Sequence, residues 1–73
     1  MEKTKIGFNA GKVWRILSKK GELSIHELCR ELSLTFEDVT LAIGWLAREG
    51  KVTLIRKNNM LYANIGNIEF SFG

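Results

Sequence analysis

Apolar positions along the chain change their spacing once, near residue 50. Before it, Val13, Ile16 and Leu17 recur at helical intervals with Trp14 beside them. Asn9 reads as an N-cap, with Phe8 and Val13 placed to close a hydrophobic staple, and Lys19-Lys20-Gly21 reads as a helix end. A first helix over roughly residues 10–20 is expected. Ile6 and Phe8 alternate ahead of it, a weak strand signal. Ser24-Ile-His-Glu27 is a capping box, and Ile25, Leu28, Cys29 and Leu32 form the stripe of a second helix over 25–32. Leu23 lies in a stretch too short for a strand unless a later strand pairs with it.

After the tight turn Ser33-Leu34, Thr35 caps a third helix over 36–48, with Glu37 and Asp38 in its first turn. Its core stripe is Val39, Ala42, Ile43 and Leu46, and Gly50 closes it. Beyond Gly50 the period falls to two. Residues 51–57 and 60–65 read as strands joined by Asn58-Asn59, a pair that tolerates positive φ. Gly66-Asn67 is a second turn, and Ile68, Phe70 and Phe72 alternate as a third, C-terminal strand.

Two short helices, a tight turn, a further helix and a β-ribbon make an α+β chain of winged helix-turn-helix type, one domain over residues 1–73. The run Glu27 to Val52 resembles the helix-turn-helix core of bacterial winged-helix proteins. Within it, Ala42-Ile-Gly-Trp-Leu-Ala-Arg-Glu-Gly-Lys51 closely resembles a family of small prokaryotic winged-helix proteins of unknown function. The resemblance covers nearly the whole chain and implies the fold, in which the third helix lies in a DNA major groove and the wing touches the backbone or the minor groove. It implies no activity, because fold alone does not fix function.

The net charge of +3 and pI near 9.3 hint at nucleic acid. The distribution weakens that hint. Residues 1–20 carry +5 and residues 51–73 carry +2, but residues 21–50 carry −4. The outward face of the third helix shows Glu37, Leu41, Gly44 and Arg48, with Thr40 and Trp45 at its edges. Base reading draws mostly on Arg, Lys, Asn and Gln, and affinity on cations against phosphate. This face reads better as a protein surface: Leu41, Gly44, Trp45 and Arg48 are candidate contacts, together with Ile68, Phe70 and Phe72. The competing reading of Trp45 is ordinary core beneath the wing. Weak, salt-sensitive nucleic-acid contact falls to Lys12, Arg15, Lys19 and Lys20 on the first helix and to Arg56, Lys57, Asn58 and Asn59 at the wing tip. The C-terminal apolar row either folds back onto the core or pairs with another chain, so a homodimer or a protein partner is expected.

Enzymatic chemistry finds no support. His26 and Cys29 are two ligands where zinc needs three or four, Cys29 lacks a base and an oxyanion donor, and no phosphate-binding glycine loop follows a strand. No cofactor, metal or small-molecule substrate is expected, and a chain of this length leaves little room for a cleft of about 300 Å³. One cysteine, no apolar leader and no span of about 18 apolar residues predict a cytoplasmic protein without a membrane helix.

Overall fold

The structure, a computed structural model, describes residues 2–65. Three helices and three strands follow one another: α1 (Glu2–Lys20), β1 (Glu22–Ser24), α2 (Ile25–Leu32), α3 (Phe36–Arg48), β2 (Val52–Lys57) and β3 (Met60–Ile65). The sheet is antiparallel in the order β1-β3-β2. This is the winged helix-turn-helix architecture, three helices with a β-ribbon wing.

Local signals end the elements where the sequence places them. Ser24 accepts from the Glu27 N–H at 3.1 Å, and the Ser24 N–H donates to Glu27 Oε1 at 2.9 Å, closing the capping box of α2. Ser33 turns the chain in the left-handed region (φ 55). Thr35 Oγ1 caps α3 through the Asp38 N–H at 3.0 Å. At the other end of α3, Lys51 N–H bonds Leu46 O and Gly50 N–H bonds Ala47 O, a Schellman pair that needs Gly50 at φ +74. Asn58 and Asn59 take φ 51 and 66, the mirror-image turn that suits the right-handed twist of a two-strand ribbon.

The core gathers Ala10, Val13 and Leu17 of α1, Leu23, Ile25 and Leu28, the α3 stripe Val39, Ala42, Ile43 and Leu46, and Val52 and Ala63 of the wing. The expected α3 stripe is thus the buried one.

Three expectations need correction. The first helix starts at Glu2, not near residue 10, and Asn9 does not cap it. Asn9 is 4% exposed, inside the helix, because Ile6, Asn9, Ala10, Val13 and Leu17 continue one stripe against the rest of the fold. Packing of that stripe outweighs the local capping signal and the low helix propensity of Gly7 and Gly11. For the same reason Ile6 and Phe8 are helical, not a strand, and no staple forms: Val13 is buried while Phe8 faces solvent with Lys12 Nζ 4.8 Å from its ring centre. The pairing that Leu23 required is present, as expected: β1 is the third strand of the sheet, with Leu23 opposite Ala63. The strand read over Ile68, Phe70 and Phe72 lies outside the described residues.

Candidate functional site

Phe36, Thr40 and Gly44 stand one turn apart along α3, beside the Val39–Leu46 stripe, whose Ile43 also lines the groove they border. They form one wall of a groove of about 370 Å³. The wing forms the other wall through Leu54 and Arg56 of β2 and Met60 of β3, and Ile25 and His26 close the end at α2. The groove exists because the distal wing projects past the core. Val52 and Ala63 are buried on the inward face of the sheet, whereas Leu54, two residues nearer the tip than Val52, is 41% exposed. Phe36 is 59% and Met60 39% exposed. The expectation that a chain of this length leaves little room for such a cleft is corrected: helix and wing diverge and leave one between them.

The electrostatics of this surface are spare. Arg56 is the cation in the groove wall, and none of the residues that line the groove is acidic. His26 and Phe36 lie with ring centres 6.3 Å apart. Thr40 Oγ1 donates to the Phe36 carbonyl at 2.5 Å, so its hydroxyl proton is already used within the helix. Glu37 is exposed, and Asp38 is 3.7 Å from Lys5 Nζ.

At the wing tip Lys57 is paired with Glu22. Its Nζ bonds Glu22 Oε2 at 2.5 Å and sits 5.0 Å from the centre of the Tyr62 ring. Asn64 Nδ2 donates to the second Glu22 oxygen at 2.9 Å. The bond from Lys57, then that from Asn64, holds the Glu22 carboxyl below its ordinary value, and Glu22 raises Lys57 in return. Asn58 and Asn59 form the exposed turn, with Asn59 also lining the groove.

The remaining sequence candidates separate into distinct surfaces. Lys12, Arg15, Lys19 and Lys20 come together with Ile16, Leu32 and Glu31 around a second concavity of about 360 Å³, which shares no residue with the groove. Leu41 is 44% exposed and Arg48 is exposed, but neither lines the groove. Trp45 is half-buried and packs against the core, on the α1 side with Trp14 and Gly11. It packs against the core as the competing reading expected, but on the α1 side and not beneath the wing. Sequence reasoning missed Phe36, Leu54 and Met60. A signal existed for the first: Phe36, Thr40 and Gly44 are spaced by four, a ridge visible on a helical wheel. No comparable signal marked the wing residues. Among the described residues no three His, Cys, Asp or Glu side chains come together as metal ligands, and no helix is long and apolar enough to cross a membrane.

Residues 1–65 match the family described as Winged helix-turn-helix domain (DUF2582). An uncharacterised protein of Methanocaldococcus jannaschii, MJ1608, is 37% identical over 54 residues, 71% of this chain and 77% of that one. The solution structure of protein BT2368 from Bacteroides thetaiotaomicron is similar at TM-score 0.85 and 47% identity, covering 100% of this chain and 90% of that one. The transcriptional regulator HlyU from Vibrio vulnificus is similar at TM-score 0.68 and 27% identity, covering 93% of this chain and 76% of that one.

Proposed function

This chain belongs to the winged helix-turn-helix domain (DUF2582) family, and we propose that it works as a non-enzymatic, cytoplasmic interaction module that docks a protein in the groove between α3 and the wing. The observation that carries this reading is the chemistry of that groove. A duplex reader needs amide or cationic side chains along α3 and cations beside them. Here the ridge is Phe36, Thr40 and Gly44, the neighbouring apolar side chains are Leu54 and Met60, and Lys57 is paired with Glu22. Covering the exposed parts of Phe36, Leu54 and Met60 contributes roughly 2–4 kcal/mol. Gly44 lets a partner backbone come close.

A second reading is a transcription regulator that reads duplex DNA as a dimer through α3 and the wing. The likeness to the regulator HlyU favours it. Amide-resolved NMR titration with mixed-sequence duplex DNA at low and moderate salt separates the two. The docking reading expects shifts confined to Lys12–Lys20 and Arg56–Asn59 that fade as salt rises. Shifts over Thr35–Arg48 that survive moderate salt would overturn it.

A further inference from the structure

The sheet restricts where the alternating segment Ile68–Phe72 is able to pair. A hairpin through Gly66-Asn67 would set Ile68 opposite Ile65 and Phe70 opposite Ala63, on the side of β3 that faces away from β2. That side is taken. Glu22, Leu23 and Ser24 pair there with Asn64, Ala63 and Tyr62, and the Ile65 N–H donates to the Gly21 carbonyl at 3.0 Å. On its other side β3 pairs with β2 over its whole length. A returning strand would find only Met60 and Leu61.

Two sheet edges stay open among the described residues. The outer edge of β1 is three residues long, and its Ser24 N–H is already bonded to Glu27. The outer edge of β2 runs for six residues, Val52–Lys57, in continuous register with β3 on the inner side, without proline or bulge. An edge of this kind is a template for a further strand. Leu54 and Arg56 face from it into the groove, so an added strand with an apolar row extends the sheet and fills the groove together. The chain's own segment is badly placed to do so. Ile65 lies on the inner side of β2, opposite Val52. The outer edge is two strand spacings away, about 9.5 Å, with the Lys51–Val52 backbone between. The steps from Ile65 to Ile68 span at most about 11 Å in a straight line and leave nothing for a detour.

We propose that the open edge of β2 and the adjoining groove receive Ile68–Phe72 from a second copy of this chain, as an added strand with Ile68, Phe70 and Phe72 turned toward Leu54, Phe36 and Gly44. Reciprocal exchange closes a two-fold dimer and covers the open β2 edge of both copies. The inference rests on the protein-docking reading of the groove and names its occupant.

The test uses the full chain. Light scattering from about ten micromolar to one millimolar gives the mass. In parallel, ¹⁵N-labelled Cys29→Ser protein is mixed with unlabelled protein carrying Cys29→Ser and Ser71→Cys, spin-labelled at the new thiol. The expected result is a dimer, with paramagnetic broadening at Thr53–Arg56 and Gly44 of the ¹⁵N-labelled copy. Phe70→Ser weakens association about ten- to hundredfold, while the amide spectrum of residues 2–65 shows the fold intact. A monomer at one millimolar, a dimer indifferent to Phe70→Ser, or no broadening between copies overturns the exchange. A monomer whose spin label broadens only its own groove does the same, yet leaves the docking reading standing. That reading falls only to the duplex titration.

Discussion

Gly44→Ala should stabilise the isolated fold. Gly44 sits in the middle of α3, where glycine costs about 0.5–1 kcal/mol relative to alanine because its backbone loses more freedom on folding. Its φ is not in the left-handed region, and a methyl group built on it meets nothing within 4 Å. Neither strain nor clash offsets the propensity gain. For a 73-residue chain with an unfolding entropy near 2 cal/mol/K per residue, this is a rise of about 3–7 °C in Tm. Thermal unfolding by circular dichroism at a few micromolar measures it, since self-association at higher concentration would add its own stabilisation. Gly50→Ala is the matched control. It also has nothing within 4 Å, but φ is +74, so the same methyl group should destabilise by roughly 1 kcal/mol. A lower Tm for Gly44→Ala would mean instead that glycine serves the monomer's own backbone. A higher Tm joined to weaker docking would identify Gly44 as a residue kept for close approach at the expense of stability.

Two further perturbations probe the fold. Leu28→Ala empties a fully buried position between α2, α3 and the sheet and should cost about 2–5 kcal/mol, a large share of the stability of so small a domain, read as a lower urea midpoint with unchanged slope. Stability should also fall with acid: Glu22 and Glu27 have folded pKa values below the ordinary 4.5, the first through Lys57 and Asn64, the second through the Ser24 cap. Depressed carboxylates stabilise above their unfolded pKa and lose that contribution as pH falls through the folded value. Denaturation midpoints should therefore hold near pH 6 and decline from about pH 5 downward, and Glu22→Gln should flatten part of the decline; a midpoint independent of pH between 6 and 3 would contradict both assignments.

The parts of the structure legible from the amino-acid order are those whose causes lie within a few residues. The Ser24 box, the Thr35 cap, Gly50 and Asn58-Asn59 each satisfy or redirect backbone groups no more than about five positions away, so α2, α3 and the wing ends were legible. The winged-helix order followed from periodicity together with these cap and turn signals, and the buried face of α3 from periodicity. Tertiary structure decided the rest. α1 runs back to Glu2 because its stripe, Asn9 included, finds something to pack on, which outweighs a good local cap. Glu22–Ser24 is a strand only because Tyr62–Asn64 lies beside it, and Lys57 is occupied only because Glu22 is 35 positions away in sequence and 2.5 Å away in space. The groove has no local cause at all. It is the gap between a helix and a ribbon that share a core at one end and diverge at the other, and its walls come from residues that no short window of sequence holds together.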